Sequence, residues 1–264
     1  MGRLLAEVHR RDALLSLTGW AHVALAVPML VGLAVDERLV LGINPWIKPL
    51  KFALSITIYV WTVAFLLGDL RAAAPRAARL ISRGVALAMT VEILCIGGQA
   101  LRGVPSHFSQ APALDAAVFS IMGLMIFLNT LLAFWLFLLY WRGNLRLPAP
   151  QLWGVRLGLL VFMAGSGLGA VMIGRNGHAV GVPDGGPGLP VLNWSTEAGD
   201  LRPPHALGLH GLQVLPLVGW AAARARRFEA ARQTGLVLAF AGVYLLVIGL
   251  LLHQALAGRP LLAV

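Results

Sequence analysis

The sequence predicts an all-α integral membrane protein in which seven transmembrane helices form a single bundle. Two observations support this prediction: seven long apolar stretches, and arginines concentrated in alternate connections between them. Of the 264 residues, 58% are hydrophobic and only 12% are charged, which places the chain outside the range of soluble globular domains. Its expected environment is therefore a lipid bilayer.

Each apolar stretch is long enough to cross the membrane, which takes roughly 20 residues. The first follows Arg10, Arg11 and Asp12 without a cleavage pattern, so we expect a retained helix rather than a signal peptide. No internal repeat divides the spans into matching halves, and a single domain over residues 1–264 is predicted. The predicted spans are 13–35, 50–68, 84–101, 113–140, 152–174, 205–223 and 235–256.

Arginine and lysine are distributed unequally between the two sides of the predicted bundle. One side carries 14 of these residues and the other 7. Since basic residues are enriched in cytoplasmic loops, the N-terminus is predicted in the cytoplasm and, with seven spans, the C-terminus outside. The net charge of +10 is thus a topology signal rather than a sign of nucleic-acid binding. The arginine- and alanine-rich composition suggests a bacterial inner membrane.

Small residues recur in the fifth span at a spacing that favours helix packing. Gly165 and Gly169 are four residues apart, with Gly167 between them. Because glycine allows two helix backbones to approach closely, this span is expected to pack tightly against a neighbour. We interpret the pattern as structural.

Ionisable and amide side chains inside the spans are the candidates for a functional site, because such groups are costly in hydrocarbon. In the third span, Glu92 lies near mid-membrane, Gln99 follows on the same face, and Arg102 continues that face to the outer edge. A carboxylate at the depth of Glu92 must be protonated or paired. Glu92 is therefore the first candidate for chemistry.

The sixth span begins at the outer side and carries a second group of candidates. Asp200 and Arg202 precede it, His205 lies near its mouth, and His210 lies roughly 7.5 Å deeper. Gln213 follows His210 by three residues, so the two should share a helix face. His210 and Gln213 are therefore the two polar residues that the sequence most clearly predicts to interact.

Polar residues of several spans are expected to converge on an outward-facing cavity in the outer half of the membrane. The Gly- and Pro-rich connection of residues 175–204 is either a lid over it or a tether. The predicted interior comprises Glu92, Gln99, His210, Gln213 and His253. The predicted mouth comprises Arg102, His107, Arg175, His178, Asp200, Arg202 and His205.

A metal-dependent membrane enzyme is the first mechanism that fits such a cavity. Zinc or iron would be held by two or three of the histidines His107, His205, His210 and His178, with Glu92 or Asp200 as catalytic ligand or general base. The set is distantly similar to the seven-span zinc hydrolases of the alkaline ceramidase and adiponectin receptor type. That family carries an H-x-x-x-H pair, whereas here the spacing is H-x-x-x-x-H. The substrate would be a small molecule or a lipid.

A haem b protein is the second mechanism. Axial ligands would come from His210, His253 or His22, which lie on separate spans. The haem propionates would be bound by basic residues of the outer side, namely Arg102, Arg175 and Arg202.

A proton-coupled transporter or receptor for a small anionic solute is the third mechanism. Glu92 and His210 would relay the proton. Gln99, Gln213 and Lys51 would contact the solute, although the pattern favours Lys51 and its neighbour Lys48 as interface anchors of the second span over capture of an anionic group. An enzyme or cofactor-binding protein is slightly favoured over a carrier. The cofactor, the substrate and the oligomeric state stay open.

Overall fold

The fold is all-α, as predicted, and the residues that the computed structural model describes include seven helices that are long and apolar enough to cross a membrane. Residues 2–108, 112–225 and 227–263 are described, so Ser109 in the outer loop and Arg226 among the basic residues lie outside them. The seven helices are α2 (Ala13–Val35), α3 (Ile47–Leu70), α4 (Pro75–Arg102), α5 (Ala113–Arg142), α6 (Ala149–Arg175), α7 (Arg202–Arg224) and α8 (Ala230–Leu256).

Every predicted span corresponds to one of these helices, and most of the helices extend beyond the predicted limits. The largest difference is at α4, which begins at Pro75 rather than at residue 84. The sequence places Arg76, Arg79 and Arg83 before the apolar run, but charged residues at the membrane surface can continue a helix. Pro75 occupies the first turn of α4, where its missing N–H group costs nothing.

A short amphipathic helix, α1 (Gly2–Arg11), precedes α2 and was not predicted. The Arg11 guanidinium donates a hydrogen bond of 2.7 Å to the Phe65 carbonyl oxygen and forms an ion pair of 2.7 Å with Asp69. Val8 is buried on the same helix. These contacts fix α1 to the end of α3 that is predicted to be cytoplasmic.

The chain divides into two compact units, Met1–Leu132 and Ala133–Val264, and each is described by itself. In the first unit, α2 packs against α3 and α4. The buried His22 connects two of these helices, because its ring nitrogens lie 2.7 Å from the Thr18 carbonyl oxygen and 3.3 Å from that of Met89. The single-domain organisation stays a prediction.

In the first unit, the outer ends of α2 and α4 are joined through Asp36 and Arg38. Asp36 accepts hydrogen bonds from the Arg38 guanidinium at 2.6 and 2.9 Å and from the Trp46 indole at 2.9 Å. Arg38 in turn donates to the Leu101 carbonyl oxygen at 3.2 Å. The hydrogen bond with Arg38 holds the pKa of Asp36 well below its ordinary range.

We expect Asp36→Asn to lower the melting temperature at neutral pH. A carboxyl whose pKa is lower in the folded protein stabilises the fold above its unfolded pKa of about 3.9, and this contribution is lost as the pH falls further toward the folded pKa. Thermal unfolding of wild type and variant should therefore differ at about pH 7 and converge below about pH 4. Glu37→Gln is the matched control, and an equal effect of both substitutions would contradict the assignment.

In the second unit, α6 and α7 approach each other through glycines. A Cβ atom built on Gly165 would lie 2.6 Å from the Gly208 carbonyl carbon, and one built on Gly208 would lie 2.5 Å from the Gly165 Cα atom. A Cβ atom on Gly169 would lie 3.0 Å from the His205 ring, whereas one on Gly167 would meet no described atom within 4 Å. The predicted tight packing of the fifth span is confirmed at Gly165 and Gly169.

The long connection between α6 and α7 has secondary structure of its own. Two short strands, β1 (Ala179–Val180) and β2 (Gly199–Asp200), pair in antiparallel fashion, and Gly188 is bridged to Ser195. Gly199 packs against the end of α8, because a Cβ atom there would lie 1.9 Å from the Ala255 carbonyl oxygen. The connection is thus an ordered hairpin, and its role as a lid stays a prediction.

Candidate functional site

The buried carboxylate of Glu92 is the centre of the candidate site in the first unit. Glu92 lies on α4 and is only 2% exposed. Its Oε1 atom is 4.0 Å from the Nε2 atom of His107, and its Oε2 atom has no hydrogen-bond partner among the described residues. Lys48 of α3 lies close enough to attract the carboxylate electrostatically. Buried side-chain oxygens are normally hydrogen-bonded, so such a group suggests a place for a proton or a ligand.

His107 reaches Glu92 because the chain turns back after α4. Glu92 lies about 15 Å along the helix axis from Arg102, the last residue of α4. Gly103 ends the helix in the left-handed region, with φ at 70°, and the Gln99 side chain donates to the Pro105 carbonyl oxygen at 3.4 Å. Non-helical chain within the membrane is tolerated where it is covered by protein or lines a cavity.

The His107 ring lies among three phenylalanine rings. Its centroid is 5.7 Å from that of Phe52, 6.1 Å from that of Phe108 and 6.2 Å from that of Phe119. The Ser106 hydroxyl lies 3.0 Å from the His107 Nδ1 atom and fixes one edge of the ring. The three aromatic rings therefore surround the imidazole with apolar surface.

Gln99 and Arg102, which the sequence predicts at the cavity, are held by Asp115 of α5. Arg102 donates to the Gln99 amide oxygen at 2.5 Å and forms an ion pair with the buried Asp115 carboxylate. Gln99 donates to the same carboxylate at 3.1 Å. Sequence analysis missed Asp115, whose only signal is an acidic residue in the first turn of a span. The charge of Arg102 is therefore already balanced within the protein.

Other polar residues of the first unit are placed as follows. Lys51 is half-buried on α3, three residues after Lys48. Asn129 of α5 accepts a hydrogen bond of 2.8 Å from the Tyr59 hydroxyl and so joins α5 to α3. The position of Lys51 does not assign it to a solute, and its role in binding a solute stays a prediction.

Asp200, the second predicted catalytic carboxylate, belongs to a hydrogen-bonded network in the outer hairpin of the second unit. It is buried and accepts hydrogen bonds from the Ser195 backbone at 2.9 Å and from the Arg202 guanidinium at 2.6 Å. His178 lies between two carboxylates, with Nε2 3.3 Å from Asp184 and Nδ1 3.8 Å from Asp200. The contacts of Asp200 and Arg202 stabilise the hairpin, and their catalytic or propionate-binding roles stay predictions.

The predicted histidines of α7 have different environments. His205 binds through Nδ1 to the Gly165 carbonyl oxygen at 2.8 Å and thereby links α7 to α6. His210 is exposed, and its Nδ1 atom lies 3.3 Å from the Gln213 amide oxygen, which confirms that the two share a helix face. His253 on α8 and Arg175 at the end of α6 are exposed as well.

The metal and haem hypotheses receive no support from this geometry. Among the described residues, no three His, Cys, Asp or Glu side chains are grouped so that they could hold a metal ion. Protein-family models, curated proteins and solved structures contain no match to the chain. The seven apolar helices identify a multi-pass membrane protein.

Proposed function

We propose that this multi-pass membrane protein binds a proton together with a small anion at Glu92, His107 and Lys48, on the extracytoplasmic side. The observation that carries the proposal is the Glu92 carboxylate, which is 98% buried and has one oxygen atom without a described hydrogen-bond partner. Burying an unpaired carboxylate costs roughly several kcal/mol in free energy, and a proton that neutralises the group removes most of this cost. Proton exchange is thus the simplest chemistry of this group.

The distance between Glu92 and His107 supports exchange rather than a fixed ion pair. The His107 Nε2 atom and the Glu92 Oε1 atom are 4.0 Å apart, which exceeds the length of a hydrogen bond. A proton is therefore not locked between the two groups. Histidine is the side chain that ordinarily titrates near physiological pH, so His107 is suited to pass protons to and from Glu92.

Protonation would change the charge of the site in a way that favours an anion. With Glu92 ionised and His107 neutral, the positive charge of Lys48 balances the carboxylate. When Glu92 and His107 each take up a proton, His107 and Lys48 leave an excess of positive charge in water-excluding surroundings. An anion bound there is attracted more strongly than it would be in water. Proton uptake and anion binding should therefore promote each other.

Of the three mechanisms suggested by the sequence, proton-coupled binding of a small anion is retained, with a different partner for Glu92. The relay expected between Glu92 and His210 is replaced by Glu92 and His107, because His107 is the histidine found next to the carboxylate. The extracytoplasmic position rests on the arginine distribution, which assigns the connection after α4 to the outside. No group of three metal-ligating side chains among the described residues favours the metal enzyme.

The proposal is tested by an infrared pH titration of the purified protein in lipid nanodiscs. A protonated carboxylic acid has a carbonyl band separate from those of carboxylates and amides. We expect the wild-type titration to contain one such band that is missing from the titration of Glu92→Gln, and we expect the midpoint of this band to shift in His107→Gln. Glu197→Gln, an exposed carboxylate of the outer hairpin, is the control. Identical carbonyl-band titrations of wild type and Glu92→Gln would overturn the proposal.

A further inference from the structure

We infer that the cytoplasmic end of α4 is a binding site for an anionic phospholipid of the inner leaflet. The site consists of Arg76, Arg79 and Arg83, which are all exposed. They are spaced three and four residues apart and therefore share one face of the helix. We call these residues the basic stripe.

The basic stripe lacks a balancing charge within the described part of the chain. No hydrogen bond or ion pair joins any of its three guanidinium groups to an acidic side chain there. By contrast, Arg11 and Arg71 of the same unit are paired with Asp69 and Asp12. Like charges three or four residues apart repel each other and destabilise the helix that carries them. A negative partner from outside the chain would relieve that repulsion.

An apolar stripe continues the same helix face across the membrane. Leu80, Leu87, Leu94 and Leu101 follow at intervals of seven residues and are between 55% and 66% exposed. At 100° per residue, positions 76, 83, 87, 94 and 101 fall within a narrow arc of the helix. The face therefore presents arginines at its cytoplasmic end and leucines along the remainder.

This order of side chains matches a phospholipid and no water-soluble anion. The lipid phosphate would be bound by the basic stripe, and an acyl chain would lie along Leu87 and Leu94. The basic stripe covers about 10 Å of the helix axis, which is slightly more than the thickness of the headgroup layer of one leaflet. The long Arg83 side chain can extend back toward the headgroups. Juxtamembrane basic clusters are attracted to anionic lipids in this manner.

Native mass spectrometry of the full-length protein in mild detergent tests the site, with phosphatidylglycerol and phosphatidylcholine as probes. We expect phosphatidylglycerol to bind preferentially and its affinity to fall at least about tenfold in the triple variant Arg76→Gln, Arg79→Gln and Arg83→Gln. The matched control changes three other exposed arginines of the predicted cytoplasmic side, Arg3, Arg142 and Arg146, to glutamine.

Three outcomes would overturn the inference. The first is that the basic-stripe variant keeps its affinity for phosphatidylglycerol, and the second is that the control variant loses as much. The third is that lipid-free wild type forms a dimer that the basic-stripe variant cannot form, which would make the face a protein contact. A circular dichroism spectrum and melting temperature equal to those of wild type would show that the variant is folded, as expected for exposed side chains.

Discussion

Gly165→Ala should lower the free energy of unfolding by about 1–3 kcal/mol, because the added methyl group overpacks a tight helix contact. Its Cβ atom would lie 2.6 Å from the Gly208 carbonyl carbon and 2.7 Å from the Leu209 nitrogen. Both are backbone atoms, so α6 and α7 would have to separate. Gly165→Leu should prevent the contact altogether. Unfolding in mild detergent, followed by circular dichroism, measures the change.

Gly167→Ala is the control for this prediction, since the two glycines lie on the same helix half a turn apart. A Cβ atom on Gly167 meets no described atom within 4 Å, and alanine is the better helix former by about 1 kcal/mol. Gly167→Ala should therefore be neutral or slightly stabilising. Equal destabilisation by the two substitutions, or none by Gly165→Ala, would show that the close approach of α6 and α7 does not stabilise the protein.

Glu92→Gln should at least halve the proton uptake that accompanies anion binding, and Glu92→Gln combined with His107→Gln should abolish it. The reason is that these two groups carry the protons in our proposal, whereas Lys48 supplies a constant positive charge. Addition of acetate to weakly buffered protein, with a pH-sensitive dye, measures the uptake directly. Acetate serves as the probe because it is a small monovalent anion.

Two further variants make this experiment decisive. Lys48→Met should weaken acetate binding while Glu92 still titrates, since the substitution removes charge but leaves the carboxylate in place. Glu197→Gln removes an exposed carboxylate of the outer hairpin and should leave the uptake unchanged. Uptake of full size in the Glu92 and His107 double variant would exclude both groups as the proton carriers.

The number and order of the long helices along the chain could be predicted from the sequence because hydrocarbon tolerates few alternatives to long apolar helices. The helix ends could not, since charged residues at the membrane surface end an apolar run without ending the helix, as Arg76 and Arg83 show. The helix α1 was missed for a related reason. It is a short amphipathic segment, and Val8 becomes buried only through contacts with residues distant in sequence.

The candidate site was predictable in part. Glu92 could be recognised from a single fact, a carboxylate in the middle of a span. Its contact with His107 could not, because that contact depends on a chain reversal at Gly103 rather than on helical spacing. Asp115 was missed because its only signal is an acidic residue in the first turn of a span, yet it is buried and holds Gln99 and Arg102.

The polar residues of α7 show what helical spacing can and cannot predict. The three-residue interval of His210 and Gln213 correctly predicted a shared face. The interval between His205 and His210 suggested a metal site only weakly, and His205 instead binds a carbonyl oxygen of α6. Spacing identifies which side chains of one helix are neighbours, whereas the partners of those side chains come from other parts of the chain.

The most direct test of the central claim is the sidedness of Glu92 protonation. The protein would be reconstituted into liposomes in one orientation, established by protease access to the outer hairpin. The infrared carboxyl band assigned through Glu92→Gln would then be followed while the pH is changed on one side at a time. We predict that the band responds to the pH on the hairpin side and not to that on the opposite side. A band that follows only the opposite side, or that is unaffected by Glu92→Gln, would contradict the account.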